Sequence, residues 1–486
     1  MIPLTLAEIA SITGGTVHDG DGAAVVTGTV EFDSRKLTPG GLFLALPGEK
    51  VDGHDFAAKA VEAGAVGVLA ARPVGVPAVV VPPLPPGQGH PTAFALTADK
   101  DGSGAAVLAA LAKLAQHVVR ELVAKGLTIV GITGSSGKTS TKDLIAQLLE
   151  PLGPTVAPPG SFNNELGHPW TALRADESTR HLVLEMSARG RGHIAELAVT
   201  APPRIGVELN VGTAHVSEFG SREAIAEAKG ELVEALPADG VAVLNLDDPL
   251  VAGMASRTKA RIVGTGEHPD ADVRAEGITL DDQARPSFRL VTARGSADVK
   301  LPLYGEHHVA NALSAAAVAL ELGSTVDEVA ARLSTVERRS GRRMEVVQRA
   351  DGVTILNDSY NANPESVRAA LKALASMSRG RRSWAVLGVM AELGADSVSA
   401  HDEIGRLAVR LNIGRLVVVG EAAAAMHQGA SHEGSWGEES VLVPDTDAAI
   451  ELLREQVEPG DVVLVKASNS AQLWRVANAL LEDGVA

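Results

Sequence analysis

The sequence predicts an α/β protein built from about three domains around mostly parallel β-sheets. Its 486 residues exceed what one hydrophobic core usually holds. Apolar strand-like runs alternate with helical stretches through most of the chain, a pattern typical of parallel sheets with helices on both faces. A strand-like run, a glycine-rich turn and a helix-like run follow one another at residues 128–149, which is the arrangement expected where a strand of such a sheet ends and the next helix begins.

Composition and charge limit the classes of function. A hydrophobic content of 45% with 21% charged residues is ordinary for a globular protein. The net charge of −17 argues against general nucleic-acid binding, although one local positive site can still hold a nucleotide. The chain has no cysteine, which excludes disulfides and thiolate chemistry. No signal peptide and no membrane-spanning run is evident, so a cytoplasmic protein is expected, with neither nucleic acid nor membrane insertion.

The first hundred residues predict a small domain of short strands and turns. Residues 57–65 are helix-like, and residues 66–70 resemble a buried strand. Ser34 and Arg35 lie in a turn-rich cluster and have the donors to hold a diphosphate, but a solvated turn with a charged tip is at least as good an explanation. Residues 82–104 are rich in proline and glycine, which predicts a loop and linker.

The rest of the chain predicts two further helix-covered sheets. Apolar residues at helical spacing from Val107 to Leu122 predict a helix, and Gly126 suits its C-terminal end. In the central part, strands are predicted at 128–130, 181–184, 205–209 and 241–246, and helices at 143–149 and 223–236. From residue 343 onward, strands are predicted at 353–356, 384–387, 416–419 and 462–465, and helices at 364–377, 401–411 and 471–481.

The stretch from Gly131 to Asp143, GITGSSGKTSTKD, predicts a phosphate-binding loop. Its glycines let the backbone approach a polyphosphate, Lys138 supplies a positive charge, and Thr139 offers a hydroxyl to magnesium. The residues of the cradle are Gly134, Ser135, Ser136, Gly137, Lys138, Thr139 and Ser140. Ile132 stands where the longer template has another glycine, so the match is to the shorter form Gly-x-x-Gly-Lys-Thr. A glycine-rich turn that binds nothing is the alternative, and the flanking strand and helix disfavour it.

Polar residues downstream of the loop lie near predicted strand ends, where parallel sheets bind ligands. Glu185 follows the run 181–184 and is suited to share a magnesium ion with Thr139, but a solvated carboxylate explains it equally well. His215 alone is more often a surface histidine than a ligand. Lys229 alone would be taken as a solvated charge on a helix.

Three other polar turns are candidates for ligand contacts. Asn163 and Asn164 enter a predicted helix, where plain capping is an equal explanation. His308 and Asn311 precede an alanine-rich helix predicted at 312–322; an amide there can recognise an adenine edge, or can cap the helix. Asp358 could bind a ribose hydroxyl or a cationic group, although a polar turn without a ligand is the commoner case.

Several ordered motifs together resemble the Mur ligase family over nearly the full length of the chain. They are DSRKLTPGGLFLALPGEKVDGHDF, GITGSSGKTSTKD, SFNNELGHP, LEMSARGRGHI, NVGTAHVSEFGSREAIAEAKGEL, GEHHVANAL, NDSYNANP, MAELG and VLVKASNS. The resemblance implies a UDP-substrate-binding domain over residues 1–103, a central ATP-binding domain over 104–338 and a Rossmann-like C-terminal domain over 339–486. DSYNANP is similar to the family members that add D-alanyl-D-alanine to UDP-N-acetylmuramoyl-tripeptide.

The resemblance also implies the magnesium and phosphate contacts. Lys138 and Thr139 fall on the ATP phosphates and the first magnesium ion, with Glu185 as its carboxylate ligand. His215 and Lys229 match the second-metal positions, where the family's lysine is carbamylated. Adding CO₂ turns an amine into a hard oxygen ligand that suits magnesium. The catalytic set is Lys138, His215, Lys229 and Asn164.

Further contacts are implied for the nucleotide and the substrates. His308 and Asn311 match adenine contacts, although the family commonly has asparagine where His308 stands. Arg343 matches an arginine that reaches the phosphates, with Arg342 as the rival register. The remaining matches are Asp358 at the nucleotide, Ser34 and Arg35 at the UDP group, and Asn163, Asn164, Asn361 and Asn363 at the substrates.

The implied activity is ATP-dependent amide formation in peptidoglycan precursor synthesis by a cytoplasmic monomer, with domain closure about hinges near residues 104 and 339. Val389, Ala467 and Asn469 depart from the family pattern, which affects contacts of the C-terminal domain. The rivals are a folylpolyglutamate synthetase, a tripeptide-forming Mur ligase and a nucleotide-switch protein that forms no bond. The identity of the third peptide residue, lysine or diaminopimelate, stays open.

Overall fold

The computed structural model of the chain describes residues 1–48, 51–85, 96, 99–213, 216–434 and 437–483. His215 and most of the predicted linker at 82–104 therefore lie outside the described residues. Within the described ranges, no helix combines the length and apolarity needed to cross a membrane.

The N-terminal part forms two small sheets. Its strands are β1 (Leu4–Thr5), β2 (Thr16–His18), β3 (Val25–Val26), β4 (Val30–Glu31), β5 (Gly41–Leu44), β6 (Ala65–Ala70) and β7 (Ala78–Val80), and its helices are α1 (Leu6–Thr13) and α2 (Ala57–Glu62). β1 pairs with β3, and the other five strands run in the order β2-β7-β6-β5-β4. The predicted strand at 66–70 is confirmed. The predicted helix is shorter than expected, because Gly64 at φ 107° turns the chain into β6.

The central part is a nine-stranded sheet. Its strands are β8 (Thr128–Thr133), β9 (Thr155–Val156), β10 (His181–Glu185), β11 (Ile205–Glu208), β12 (Val241–Asn245), β13 (Arg261–Gly266), β14 (Val273–Leu280), β15 (Pro286–Thr292) and β16 (Gly295–Lys300). The order is β16-β15-β14-β13-β12-β11-β8-β10-β9, parallel except for the antiparallel pairs of β14 with β15 and β15 with β16. The strand that leads into the glycine-rich turn thus lies between β10 and β11.

Ten helices accompany this sheet in the described residues. They are α3 (Ser103–Ala124), α4 (Lys138–Leu149), α5 (Gly167–Ala172), α6 (His193–Thr200), α7 (Val216–Phe219), α8 (Arg222–Lys229), α9 (Glu231–Glu234), α10 (Pro249–Ala252), α11 (His308–Glu321) and α12 (Val326–Leu333). α4 and α11 pack together over β8, where Val130, Ile132 and Leu313 belong to one buried cluster. The phosphate loop is thereby held between a central strand and two buried helices.

Two predictions for the central part are wrong in detail. The helix expected at 223–236 is divided after Lys229, because Arg257 donates to the carbonyls of Ala226 and Glu227 and occupies the space that a side chain at Gly230 would need. The helix expected at 312–322 already begins at His308, so that His308 and Asn311 lie inside its first turns rather than before it.

The C-terminal part is a six-stranded sheet. Its strands are β17 (Glu345–Gln348), β18 (Thr354–Asn357), β19 (Ser383–Leu387), β20 (Arg415–Val419), β21 (Ser440–Val443) and β22 (Val462–Lys466), in the order β17-β18-β22-β19-β20-β21. Its helices are α13 (Pro364–Met377), α14 (Ser397–Arg410), α15 (Ala424–Glu433), α16 (Thr446–Gln456) and α17 (Trp474–Glu482). All pairs except β17 with β18 are parallel, which confirms the predicted mostly parallel architecture.

The chain between the central and C-terminal sheets is fixed to the helix that follows the phosphate loop. The backbone N–H of Glu337 donates to Gln147 Oε1 at 2.8 Å, and Gln147 Nε2 donates to the carbonyl of Glu337 at 2.9 Å. Arg339 forms an ion pair with Glu150 one helical turn further on. These contacts hold the connecting chain at residues 337–339 against the C-terminal end of α4.

Candidate active site

A cavity of about 910 Å³ lies between the phosphate loop and the C-terminal sheet. Its lining brings together most of the residues predicted from the sequence. They are Ser135, Ser136, Gly137, Lys138, Thr139, Ser140, Asn163, His308, Asn311, Arg343, Asp358, Asn361 and Asn363. Residues from positions 135 to 363 meet here because the central strands and β18 direct their carboxyl ends toward the same space.

The phosphate loop has the backbone geometry that its glycines predict. Gly134 and Gly137 have φ angles of 154° and 83°, and a Cβ atom at Gly137 would lie 2.6 Å from Asn311 Oδ1. Asn210 supports the loop from the end of β11, since its Oδ1 accepts the Ser136 N–H at 2.9 Å and its carbonyl accepts the Ser135 N–H at 3.0 Å. The amide groups at the start of α4 remain directed at the cavity, as an anion site requires.

Lys138 turns back over the loop and donates to the carbonyl of Gly134. The pKa of Lys138 is lowered to about 8, chiefly by burial and also by nearby Arg343, while Glu185 and Glu208 act in the opposite direction. A polyphosphate in the cavity would favour the charged ammonium and raise this pKa again. The lysine is therefore placed to respond to an anionic ligand.

Glu185 ends β10 and is fully buried behind the phosphate loop. Its Oε2 accepts hydrogen bonds from Thr139 Oγ1 at 3.2 Å, Ser161 Oγ at 3.1 Å and Asn163 Nδ2 at 3.2 Å. Its Oε1 has no hydrogen-bond partner although it is buried. A carboxylate oxygen left free beside a threonine hydroxyl and a phosphate loop fits a magnesium ion, which prefers such hard oxygen ligands.

Lys229 ends α8 and is only 4% exposed. Its pKa is lowered to about 7, chiefly by burial and also by Lys138, against an opposing effect of Glu208. Glu208 ends β11, is fully buried, and has no hydrogen-bond partner for either carboxylate oxygen. Burial raises the pKa of Glu208 well above its ordinary value, against the attraction of Lys229, Arg257 and Lys138. The two groups thus lie close together in a poorly solvated place.

Glu185 and Glu208 lie on opposite faces of the sheet. Glu185 pairs with Ile132 and Glu208 pairs with Thr133, which are successive residues of β8. Side chains of successive residues in a strand point to opposite faces, and paired residues share a face. Both carboxylates nevertheless act on Lys138, so the charged groups surround the end of β8 from two sides.

A smaller cavity of about 240 Å³ opens beside His308. Its lining includes the apolar side chains of Leu144, Tyr304 and Met344 and also Arg343. Burial lowers the pKa of His308 well below its ordinary value, and the neighbouring His307, whose ring centroid is 4.3 Å away, lowers it further. A neutral histidine at the mouth of an apolar slot suits a planar, uncharged ring.

The two arginines at 342 and 343 both lie over the Tyr360 ring, with Arg342 at 5.5 Å from its centroid, but they differ in their other contacts. Arg342 and Met344 have left-handed backbone angles of 56° and 47°, which turn the chain sharply on both sides of Arg343. Arg343 lines both cavities and lies with its guanidinium carbon 4.3 Å from the Tyr360 ring centroid. Arg342 instead donates to Asn469 Oδ1 at 3.2 Å. Arg343 is thus the nearer of the two to Lys138, whose pKa it lowers.

Asp358 forms an ion pair within the C-terminal wall of the cavity. Lys466 Nζ donates to Asp358 Oδ2 at 2.6 Å and to the carbonyl of Asn361 at 2.8 Å, while Met344 N–H donates to Asp358 Oδ1 at 3.0 Å. Asn363 is the N-cap of α13, and its Nδ2 donates to the carbonyl of Ser135 at 3.3 Å. This wall therefore contacts the phosphate loop directly.

Seven predicted site residues are not part of the larger cavity's described lining; Gly134, Glu185 and Lys229 are buried, and the other four are Ser34, Arg35, Asn164 and His215. Ser34 and Arg35 lie in a 3-10 helix, Ser34–Lys36, of the N-terminal part, where Arg35 pairs with Asp33 at 2.9 Å and is 82% exposed. Asn164 uses its Oδ1 to cap α5 by accepting the Gly167 N–H at 2.9 Å. His215 lies outside the described residues, so its predicted place at the second metal stays a prediction.

Sequence reasoning missed several polar residues of the site. Glu208 and Lys466 each end an apolar strand, so the rule that selected Glu185 would have selected them too. Asn210 and Glu365 had no such signal, because their importance depends on contacts with the phosphate loop and with Thr213 that are distant in sequence.

Three domain families match consecutive parts of the chain. The Mur ligase family catalytic domain matches residues 28–116, the Mur ligase middle domain matches residues 132–319, and the Mur ligase glutamate ligase domain matches residues 342–469. Together these ranges cover most of the chain, and the latter two contain the residues around the larger cavity.

Curated relatives match along the whole length. The UDP-N-acetylmuramoyl-tripeptide–D-alanyl-D-alanine ligase of Mycobacterium tuberculosis is 59% identical over 504 residues, which cover 99% of this chain and 98% of that protein. The Escherichia coli ligase of the same name is 34% identical, with 100% of both chains covered.

Solved structures agree with these relatives. A crystal structure of MurF from Acinetobacter baumannii has a TM-score of 0.83 at 30% identity and covers 99% of each chain. A MurF ligase from Thermotoga maritima in complex with ADP has a TM-score of 0.75 at 29% identity, with 94% of this chain and 98% of that chain covered.

Proposed function

The chain belongs to the Mur ligase family, and from this premise we propose that it joins D-alanyl-D-alanine to UDP-N-acetylmuramoyl-tripeptide at the expense of ATP. The observation that carries the proposal is the 910 Å³ cavity, in which a phosphate loop and its buried Glu185 face Arg343 and Asn361 of the C-terminal sheet. A site of this kind can hold a nucleotide on one wall and an acceptor on the other.

ATP is proposed to lie with its phosphates on residues 134–140 and its adenine in the 240 Å³ slot beside His308 and Asn311. Arg343 would reach the phosphates from the C-terminal side. Asp358 is proposed at the nucleotide as well, with Lys466 as its counter-charge.

Two magnesium ions are proposed beside the phosphates. Thr139 and Glu185 would hold the first, which accounts for the free Oε1 of Glu185. His215 and Lys229 would hold the second. Bound magnesium offsets charge on the phosphate oxygens during transfer.

The reaction proceeds in two steps that the cavity can support. The terminal carboxylate of the tripeptide attacks the γ-phosphorus of ATP, forming an acyl phosphate and releasing ADP. The amine of D-alanyl-D-alanine then attacks the acyl carbon, phosphate leaves, and the nitrogen loses a proton. Lys138 and Arg343 stabilise the negative charge of the transferring phosphoryl group, which is mainly a task of positioning and electrostatics.

Lys229 is proposed to be carbamylated. The neutral amine attacks CO₂, a C–N bond forms, and one proton is released, which leaves a carboxylate-like group at the end of α8. The pKa of about 7, caused chiefly by burial, supports this because much of the amine is unprotonated at neutral pH.

The substrates are proposed to bridge the three parts of the chain. Ser34 and Arg35 would contact the UDP group from the N-terminal part, Asn163 and Asn164 the peptide, and Asn361 and Asn363 the dipeptide. Because Ser34 and Arg35 lie outside the larger cavity's described lining, domain closure near residues 104 and 339 is part of the proposal. We propose that the protein is a monomer and acts in the cytoplasm, where ATP and UDP-linked precursors are available.

The deciding experiment measures phosphate release from ATP with UDP-N-acetylmuramoyl-tripeptide, with and without D-alanyl-D-alanine. Phosphate release that depends on the dipeptide is expected. Release at the same rate with and without the dipeptide would exclude the ligase activity and favour a nucleotide switch. Replacing the dipeptide by single amino acids, including glutamate, separates the tripeptide-forming and folylpolyglutamate alternatives. Tripeptides ending in lysine and in diaminopimelate, compared in the same assay, identify the third residue.

A further inference from the structure

We propose that Glu365 is a positioning residue, which fastens the C-terminal sheet to the loop after β11 and so fixes the phosphate loop for transfer. No predicted role involves Glu365, and the inference rests on the proposed function, since it concerns the same cavity. Glu365 lies in the first turn of α13, two residues after the N-cap Asn363.

The contact between Glu365 and the central sheet is direct. The Thr213 N–H donates to Glu365 Oε1 at 3.0 Å, and Thr213 Oγ1 donates to the same oxygen at 3.1 Å. These residues are 152 positions apart and belong to different sheets. Two hydrogen bonds to one ionised oxygen form a stronger and better-oriented link than a single neutral bond.

Gly212 lets the carboxylate approach this closely. A Cβ atom at Gly212 would lie 2.6 Å from Glu365 Cδ, so any other residue would displace this carboxylate from its position. The second oxygen of the carboxylate, Oε2, is buried without a hydrogen-bond partner. Glu365 is half-buried and lines the larger cavity, and a carboxylate with one unsatisfied buried oxygen is costly for folding alone, which indicates that its place serves the site.

The same loop holds the phosphate loop. The Gly212 N–H donates to Ser135 Oγ at 2.9 Å, the Ser135 N–H donates to the carbonyl of Asn210 at 3.0 Å, and Asn363 Nδ2 donates to the carbonyl of Ser135 at 3.3 Å. We call Asn363 and Glu365, with Ser135 and Thr213, the interdomain clamp. Because of the clamp, the backbone position of Ser135 in the phosphate loop depends on where α13 lies.

Other contacts of this loop come from within the central sheet. The Val211 N–H donates to Asp248 Oδ2 at 2.8 Å, and Asn245 Nδ2 donates to the carbonyl of Leu209 at 2.9 Å. They keep the loop folded when the clamp is open. Loss of Glu365 should therefore leave the protein folded and the nucleotide bound, but should lower the fraction of molecules with α13 docked.

The test compares Glu365→Ala, Glu365→Gln and Thr213→Val in the full-length enzyme. Dipeptide-dependent phosphate release should show kcat lowered about 10- to 100-fold for Glu365→Ala, the loss expected for two charge-assisted hydrogen bonds. Glu365→Gln keeps an acceptor oxygen and should restore kcat to within about fivefold of the parent. ADP affinity in the presence of magnesium should change less than about threefold, since its main contacts lie on the central sheet.

A double-mutant cycle tests whether Thr213 and Glu365 act through the same contact. Thr213→Val removes one donor and keeps the backbone N–H, so it should lower kcat less than Glu365→Ala does. The double variant should be no slower than Glu365→Ala alone within about twofold, because both changes break the same link. Lys372→Ala, on the exposed face of α13, is the matched control and should equal the parent.

The outcomes separate this inference from the proposed function. If the parent and Lys372→Ala show no dipeptide-dependent release, the proposed function fails. If both are active and Glu365→Ala keeps kcat within twofold, or if the two single effects multiply in the double variant, the positioning role is overturned. A lowered kcat accompanied by an equal loss of ADP affinity and of melting temperature would also overturn it, because that pattern means general destabilisation.

Discussion

Removing dissolved CO₂ should inactivate this enzyme reversibly, and the effect should depend on Lys229. Lys229 is the last residue of α8 and is almost fully buried beside Glu208. Burial lowers the pKa of this amine from 10.5 to about 7, with Lys138 lowering it and Glu208 raising it. CO₂ reacts with the neutral amine, so the lowered pKa determines how much carbamate can form at a given pH.

The size of the effect follows from the protonation equilibrium. At pH 7.5, an amine with a pKa of 10.5 is about 0.1% neutral, whereas one with a pKa of about 7 is roughly three-quarters neutral. The reactive form of Lys229 is thus several hundredfold enriched over an ordinary lysine. At pH 6 only about a tenth remains neutral, so at a fixed bicarbonate concentration the carbamate should fall roughly eightfold between pH 7.5 and pH 6.

The assay combines activity with direct detection of the carbamate. Dipeptide-dependent phosphate release is measured in CO₂-free buffer and after addition of bicarbonate, over the same pH range. Enzyme equilibrated with ¹³C-bicarbonate should show a carbamate carbon resonance that weakens as the pH falls through 7. Lys229→Ala should lack both the resonance and the activity, while Lys372→Ala keeps both.

Two results would refute this reasoning about Lys229. Full activity of Lys229→Ala at ordinary bicarbonate would show that no carbamate is needed. A fully active parent enzyme without a ¹³C resonance would show that the unmodified side chain, together with Glu208, performs the task. Activity that falls as the pH is lowered but does not change when CO₂ is removed would assign the pH dependence to another group.

Three further predictions concern stability, phosphate binding and closure. His168 is buried without a partner for either ring nitrogen, and burial lowers its pKa to about 3. Because the folded protein holds His168 in its neutral form, the free energy of unfolding decreases as the pH falls below 6.5. In denaturant titrations, the decrease between pH 7.5 and pH 5 should be about 2 kcal/mol smaller for His168→Leu than for the parent. Equal decreases would contradict this. Arg343→Ala should lower kcat/KM for ATP about 100-fold in the release assay and Arg342→Ala less than tenfold, and the reverse order would assign the phosphates to Arg342. In this cysteine-free chain, Ser217→Cys with Gly394→Cys should form a disulfide faster when ADP and the UDP substrate are bound. A Cβ atom at Gly394 would lie 2.7 Å from Ser217 Cβ, so the two positions are in contact, and a separation larger by about 1 Å gives the Cβ distance of a disulfide. A rate of cross-linking on gel electrophoresis that does not depend on the ligands would argue against closure.

The sequence predicted best those features that local chemistry determines. α13 runs from Pro364 to Met377 as predicted, because Asn363 caps it and Pro364 suits its first turn. The phosphate loop was recognisable because glycines, lysine and threonine must stand at fixed short spacings around a phosphate. Each of these patterns is contained in fewer than about twenty residues, so no long-range contact is needed to interpret it.

Long-range features were not predictable in this way. In the hairpins from β14 to β16, buried residues such as Phe288 and Leu290 alternate with exposed ones, so these strands lack the continuous apolar runs by which the strands of a parallel core were recognised. Glu365 and Thr213 meet only because two sheets are docked. Likewise, the closeness of Glu208 to Lys229 depends on how α8 lies over the end of β11.

The charges around β8 explain why an unmodified Lys229 would be a poor partner for magnesium. Three basic side chains, those of Lys138, Lys229 and Arg343, share the region with two acidic side chains, those of Glu185 and Glu208. Lys138 lowers the pKa of Lys229, and Arg343 lowers the pKa of Lys138, which is the electrostatic sign of neighbouring positive charges. Carbamylation would replace one of these cations by an anion and leave three anionic groups facing two cations. Divalent ions would then be attracted where they were repelled, so CO₂ removal should weaken binding of the second magnesium ion before it weakens binding of ATP.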